Sequence, residues 1–364
     1  MKKNICFLLS FLLLISFVPI AYADSGIVEC PNTKIIFNGE LQKISDVTIA
    51  VNGSTMLPLR ALLVSLGVPN DNQHIIWDGT NKKITVNMDS NKIIMQVGNK
   101  TAYVNGNPIT LDVSPIGYSK NGRTYIPVRF VAQALGYKVL WDQYLKCVYI
   151  TTDSNYNKIK DIIEKSKNKM DSYKKIFLYN ESSTNWSGGL MISDTILKID
   201  RNNQNIHSLM VVTDNGDQIA GMEYYITNKY NYFESFYTDG VWKRQQIIGP
   251  YFNNTMNLNL FLKNDILYSS LAEIDSSNDN QIILKGYSYP YDETYMNKGK
   301  DIVQFVSFEI CLNKTDYSIV KISANLKRTS DGYTERTDTW TFKGFDQDVE
   351  DVIIPNELLT CEWR

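Results

Sequence analysis

The chain has 364 residues, a formal net charge of −2 and 43% hydrophobic residues. That length accommodates about two domains with a core in each, and that hydrophobic content excludes a disordered chain. No long run of like charge occurs, which excludes the electrostatic footprint of a nucleic-acid binder.

Residues 1–23 read as a secretory signal. Lys2 and Lys3 precede an apolar stretch at 5–20, and Ala21-Tyr22-Ala23 supplies the small-x-small cleavage pattern. No cysteine stands at the cleavage point. Losing Lys2 and Lys3 takes the formal charge from −2 to −4. No later apolar run reaches spanning length, so no stable membrane span is expected after cleavage. Cys6 leaves with the signal, and Cys30, Cys147, Cys311 and Cys361 remain. An exported chain permits disulfides. The simplest pairing is Cys30 with Cys147 and Cys311 with Cys361, one bridge closing the ends of each domain; free thiols are the alternative. These cysteines show no CxxC or Cys/His spacing, so no zinc site is expected.

An internal repeat follows at 34–151. Thr55-Met56-Leu57-Pro58-Leu59-Arg60 recurs as Thr124-Tyr125-Ile126-Pro127-Val128-Arg129, an offset of 69 (127 minus 58). Leu66-Gly67 recurs as Leu135-Gly136, Trp77-Asp78 as Trp141-Asp142, and Asn38-Gly39 as Asn105-Gly106. Ordered matches at nearly one spacing indicate duplication. The Asn-Gly pairs predict tight hairpin turns, since both positions tolerate positive φ. Each Pro marks the start of a short helix. Leu59, Leu62, Leu63 and Leu66, like Val128, Val131, Ala132 and Leu135, form one apolar stripe. Gly67 and Gly136 end the helices. A hairpin around Trp77-Asp78, and another around Trp141-Asp142, completes each copy.

Asn-Gly hairpin, Pro-x-Arg helix and Trp-Asp hairpin together resemble the copper amine oxidase-like N-terminal domain over residues 34–152. That resemblance implies a non-catalytic module at the surface of a Gram-positive bacterium. The domain is named for a stalk region, so no catalytic role is carried over. The chain has only two histidines, His74 and His207, and they fall in different halves. The nearest lookalike of the quinone-tyrosine motif, Thr227 through Phe233, has its Thr one residue too distant and Phe233 in place of the acid. Amine oxidation is therefore not expected. Arg60 and Arg129 read as partners of Asp78 and Asp142, tying each helix start to its hairpin; anion or carbohydrate contact is the alternative. Trp77 and Trp141 read as core, with sugar stacking as the alternative.

Residues 155–173 read as a helix with Ile159, Ile162, Ile163, Ser166 and Met170 on its buried face and Asp153 or Ser154 as cap. Alternating segments follow at 190–199, 207–213, 218–227, 230–237, 281–287, 302–312, 318–327 and 337–342. Turn signals separate them at 214–217, 228–229, 239–240 and 331–332, and a second helix is expected at 257–268. The fold class is thus α+β and strand-rich, with a duplicated hairpin/helix domain followed at 155–364 by an antiparallel curved sheet on a helix. Segments 224–226 through 241–243 and the ending 352–355 make this half similar to the half-barrels of bacterial lipoprotein carriers. The resemblance implies a concave apolar face that holds a lipid-like ligand. Tyr225, Tyr232, Phe233, Phe236 and Phe308 are the candidate lining, and plain core packing is the other reading.

No Gly-x-Ser-x-Gly elbow, phosphate loop, His-Glu-x-x-His or dinucleotide fingerprint is present. The acids at 275–279, and Asp346, Asp348, Glu350 and Asp351, look like turns and lack the Gly and terminal Glu of a calcium loop. No enzyme activity, metal or cofactor is expected. The expectation is a secreted or cell-surface binding or attachment protein, whose partner is a cell-wall component or a hydrophobic small molecule. A carrier or sensor of a lipid-like ligand is the alternative. A carboxylate-dependent hydrolase is the remaining reading.

Overall fold

The computed structural model describes residues 26–143, 145–186, 189–235, 242–246, 265–274, 280–287, 305–327 and 335–363. The expected signal at 1–23, the lining candidate Phe236, the turns at 239–240 and 331–332, and the acids at 275–279 lie outside the described residues. The chain divides into two compact units. One comprises the chain up to Pro31, Ser45–Val64 and Pro69–Val128; the other comprises Asn32–Ile44, Ser65–Val68 and Arg129 onward.

The first unit contains β1 (Ile27–Glu29), β4 (Ile49–Val51), β5 (Ser54–Pro58), β6 (Ile75–Asp78), β7 (Lys83–Met88), β8 (Asn91–Gln96), β9 (Thr101–Val104), β10 (Asn107–Thr110), β11 (Ile116–Tyr118) and β12 (Arg123–Pro127). One sheet has the order β1-β4-β5-β12-β11, the other β10-β9-β8-β7-β6. The duplicated Pro strands meet at the centre of the first sheet, where Tyr125 pairs with Pro58 and Pro127 with Met56. Ile49, Met56, Val113, Tyr118 and Tyr125 form the core beneath that sheet. In the second sheet the alternation of Ile84 and Val86, and of Ile93 and Met95, buries those four side chains.

Each Pro ends its strand, and a seven-residue helix begins at the next residue: α1 (Leu59–Ser65) and α2 (Val128–Ala134). Gly67 and Gly136 follow with φ of 87° and 89°, the left-handed cap that a Cβ disfavours.

The second unit takes β2 (Lys34–Phe37), β3 (Glu40–Leu41), β13 (Tyr137–Asp142) and β14 (Cys147–Thr152) from the repeat region. They form one sheet, β13-β14-β2-β3, in which β14 runs parallel to β2. The duplicated copies are therefore interleaved. A strand that opens the first copy is completed by a strand that closes the second.

The helix α3 (Asp153–Ser172) leads into the second half. Its cap is Thr152, whose hydroxyl accepts from the Asn155 amide at 3.1 Å, and not Asp153 or Ser154. Thr152 still has the extended backbone of β14, so its side chain is the one placed over the free amides of the first turn.

After α3 come β15 (Lys175–Trp186), β16 (Gly189–Asp200), β17 (Asn205–Asp214), β18 (Asp217–Thr227), β19 (Tyr230–Ser235) and β20 (Lys243–Gln246). Then follow α4 (Asp265–Ser270), β21 (Leu271–Glu273), β22 (Gln281–Tyr287), β23 (Phe305–Asn313), β24 (Ile319–Lys327), β25 (Glu335–Phe345) and β26 (Glu362–Trp363). Only the end of the expected helix at 257–268 falls on described residues, and there α4 is helical. These strands make one sheet in the order β21-β22-β23-β24-β25-β15-β16-β17-β18-β19-β20-β26. All neighbours in it are antiparallel except the pair β20 and β26. The sheet curls as a half-barrel. Asn215 and Gly216, with φ of 49° and 94°, make the β17–β18 turn that the sequence predicts.

The helix stripe of Tyr156, Ile159, Ile162, Ile163 and Met170 packs with Leu267 and Tyr268 of α4 onto Ile176, Leu178, Ile199, Ile206, Ile226, Leu284, Phe308, Ile310 and Ile322 of the sheet. Among the described residues, no helix is long and apolar enough to cross a membrane.

Candidate functional site: the inner face of the half-barrel

Side chains alternate across a strand, so the register divides the large sheet into two faces. The helix-bearing face is built from cross-strand rows. The deepest row, Ile176, Ile199, Ile206 and Ile226, is buried under α3. The next contains Phe342, Leu178, Leu197, Ser208, Tyr224 and Phe233. One step further lie Trp340, Asn180, Thr195, Met210 and Met222, then Asp338, Ser182, Ser193, Val212 and Ala220. Arg336 and Thr184 stand opposite one another in the row nearest the strand ends.

On β16, β17 and β18 burial falls along this sequence of rows, whereas on β15 and β25 Ser182 and Asp338 are again buried. Ile176, Ile199 and Ile206 are fully buried, whereas Leu197, Met210, Val212, Met222 and Tyr224 are half-buried. The helix thus covers one end of the concavity, and a half-open, largely apolar surface continues beyond it. Met210 and Met222 face each other across β17 and β18, and their flexible, polarizable side chains adapt to varied apolar shapes. The Tyr224 ring lies 6.4 Å from that of Phe233, and its hydroxyl reaches the Met222 sulfur. Asp338 is 5% exposed and Ser182 7% exposed on this face. The Arg336 Nε donates to Asp338 Oδ1 at 2.8 Å.

The sequence-predicted lining is divided by the sheet. Phe233 and Phe308 are on the helix-bearing face, where Phe308 is 2% exposed and belongs to the core. Tyr225 and Tyr232 pair with each other on the opposite face, so they do not line the concavity. The cause is strand parity: one residue along the chain reverses the side, and Tyr224 is the inward neighbour. On that outer face Tyr225 stacks on His207 with ring centroids 4.5 Å apart, and His207 Nε2 meets Glu223 Oε1 at 2.7 Å. Burial, followed by the Glu223 charge, holds the Tyr225 hydroxyl above its usual pKa. His74 Nδ1 is bound at a turn by Asp71, at 2.8 and 2.9 Å.

The repeat residues correct two expectations. Arg60 is not paired with Asp78. Its Nη atoms donate to Asn70 and Asn72 side chains at 3.0 Å, and to the Ile75 carbonyl at 3.4 Å. Asp78 instead accepts from the Thr80 and Asn81 amides at 3.0 and 3.1 Å, and Asp142 from the Leu145 amide at 3.0 Å. Both aspartates bind amides that follow them in the hairpin turn. Arg129 is exposed. Trp77 and Trp141 are not core: they are 43% and 39% exposed, each near the end of an edge strand.

All four cysteines are free. Cys311 and Cys361 cannot be the expected pair, because β23 and β26 stand third and twelfth in a sheet that does not close. A bridge needs Cα atoms within roughly 7 Å. Cys30 and Cys147 belong to different units, and burial pushes the Cys147 thiol up to about 12. Among the described residues no cluster of His, Cys, Asp or Glu is arranged to hold a metal ion. Asp346 Oδ1 accepts from the Lys174 and Lys175 amides, Asp351 pairs with Lys175 and Glu350 with Lys198. Asp346, Glu350 and Asp351 thus each contact β15, β16 or the residue before β15.

The inner-face residues Met210, Met222, Trp340, Arg336 and Asp338 are not among the sequence-predicted site residues. Strand alternation in 205–214 and 335–345 was legible, but which parity faces the helix was not.

No curated protein matches the sequence. Among solved structures, the chain is similar to LprF from Mycobacterium bovis, at 11% identity over 56% of this chain and 98% of that one, with a TM-score of 0.35. It is also similar to the lipoprotein LppX of Mycobacterium tuberculosis, at 11% identity, 53% and 98% coverage and a TM-score of 0.33. A further likeness is to an outer membrane lipoprotein-sorting protein domain from Vibrio parahaemolyticus, at 11% identity, 54% and 95% coverage and a TM-score of 0.23. Residues 36–150 match the family model of the copper amine oxidase N-terminal domain.

Proposed function

We propose that this is an exported, non-catalytic protein whose half-barrel binds a hydrophobic small molecule on its inner face. One observation carries the reading. The helix buries only the deepest part of the concavity, and the Met210, Met222, Val212 and Tyr224 rows beyond it stay half-open and mostly apolar. A concave apolar surface with few polar groups is the usual form of a small-molecule site. Export is supported by the charged, apolar and small-x-small pattern of residues 1–23. Native mass spectrometry of residues 24–364, purified from an exporting host, is expected to show a bound lipid-like mass that Met210→Asp combined with Met222→Asp removes. A bare polypeptide mass that stays bare after incubation with lipid extract sinks the reading.

A second reading, attachment of the repeat region to a cell-wall polymer, is favoured by the rings of Trp77 and Trp141, each exposed at the same place in its copy. Exposed indole rings offer flat apolar surface for stacking. Co-sedimentation with purified cell wall, weakened at least about tenfold by Trp77→Ala with Trp141→Ala, is the expected result. Undiminished sedimentation of that double variant removes the reading.

A further inference from the structure

We infer that Arg336 anchors the head of the bound molecule, and that the ligand is an amphiphile with a single anionic head, a carboxylate or a phosphate. This inference rests on the ligand-binding reading above and adds the ligand's chemistry to it.

The inward-facing residues of β25 change character along the strand. Phe342 belongs to the core, Trp340 packs against it, Asp338 comes next, and Arg336 lies nearest the strand end. Polarity therefore rises in steps along one strand, from the core under the helix to the mouth. Inward residues on a strand are spaced about 6.6 Å apart, so the gradient spans roughly 20 Å, the extent of a long acyl chain. One neighbour repeats it: β15 runs inward as Leu178, Asn180, Ser182 and Thr184, whereas β24 on the other side stays apolar with Ile322, Ala324 and Leu326.

The cation is held in place, not merely present. The Asp338 carboxylate is 5% exposed and sits between Ala324 and Ser182 on the neighbouring strands. A carboxylate so buried costs several kcal/mol unless paired, which makes its bond to the Arg336 Nε firm. The bond uses one edge of the guanidinium. The side chain is 52% exposed and this bond does not engage its Nη groups, with Thr184 directly across on β15. A guanidinium fixed at Nε presents with its Nη groups the planar fork that takes carboxylate or phosphate oxygens in pairs. An anion there takes the guanidinium edge that Asp338 leaves free, and its chain lies along Trp340, Met210 and Met222. Asp338 acts through Arg336 and is a positioning residue.

The test titrates oleate, oleoyl lysophosphatidate and oleyl alcohol, by calorimetry, into delipidated mature protein. Both anions are expected to bind at least about tenfold more tightly than the alcohol. Arg336→Gln is expected to abolish that preference while leaving alcohol affinity within about twofold. Arg336→Lys should keep part of it, since charge survives and the fork does not. Asp338→Asn should reduce the anion-to-alcohol ratio without weakening the alcohol, a change that general loosening of the fold does not produce. Should Asp338→Asn fail to fold, the exposed Arg336 variants still decide. The stronger of the two anions tells a carboxylate head from a phosphate one. Equal binding of anions and alcohol, or an unchanged ratio in Arg336→Gln, overturns the anchor and leaves the apolar site standing. Absence of binding by all three probes overturns both.

Discussion

Gly286→Ala is expected to destabilise the second unit by more than about 4 kcal/mol, and Gly39→Ala by about 3 kcal/mol, among the largest effects of any single methyl group in this chain. A Cβ at Gly286 would stand 1.9 Å from the Ser270 carbonyl oxygen and 2.8 Å from its carbon. A Cβ at Gly39 would stand 2.6 Å from the Ala272 nitrogen and 2.8 Å from the Leu271 carbon, at a φ of +79°. All of these are backbone atoms, so no side-chain rotation relieves the clash. Both glycines press on one short segment, where α4 ends and β21 begins. That segment is held further by Asn155, whose side chain donates to the Leu271 carbonyl at 2.8 Å. Asn38, beside Gly39, in turn accepts from the Thr152 amide at 3.0 Å, so the turn, the helix start and β21 form one junction. Gly106 is the control. It occupies the same place in the second copy, with a φ of +86°, but a Cβ there meets nothing within 4 Å. Its replacement by Ala should cost only about 1 kcal/mol, the conformational part alone. Denaturant midpoints of the three variants measure the difference. Equal losses for Gly39→Ala and Gly106→Ala would show that the junction is not packed as described.

Phe308→Ala is expected to cost about 3–5 kcal/mol, the range for truncating a fully buried aromatic. The ring is 2% exposed and its neighbours in the sheet are Gly286 on one side and Ala324 on the other. Neither neighbour carries a side chain long enough to fill the space, so the cavity stays open. The same variant separates the two roles proposed for this phenylalanine. As core, it governs stability, and ligand affinity of the still-folded fraction is unchanged. As lining, stability would move by less than about 1 kcal/mol while affinity fell. Thermal unfolding together with ligand titration distinguishes these outcomes, and the burial favours the first.

Much of the fold was legible because period and punctuation carry local information. The Ile159, Ile162, Ile163 and Met170 stripe, the Asn215-Gly216 turn and the glycine caps after both short helices follow from residue chemistry a few positions apart. The strand β15 was missed: its run Asn180 to Asn185 is polar on both faces, so no alternation marks it, although it pairs along its length with β16 and β25. The candidate lining was divided between the two faces for a related reason. Alternating aromatics announce a strand, but the strand's side toward the helix is a property of the assembled sheet.

The duplication, the strand-rich second half led by a helix, and the absence of familiar catalytic motifs were all legible, since each depends on spacing within one segment. Long-range packing set the rest: the two copies interleave through β2 and β14, the aspartates of the repeat bind their own turns, and the cysteines stay free. It alone brought Arg336 and Asp338 to the mouth of an apolar concavity. These outcomes depend on register between strands distant in the chain. A shift of one residue exchanges every inward side chain for an outward one, and that choice is made by packing against the helix, not by local preference.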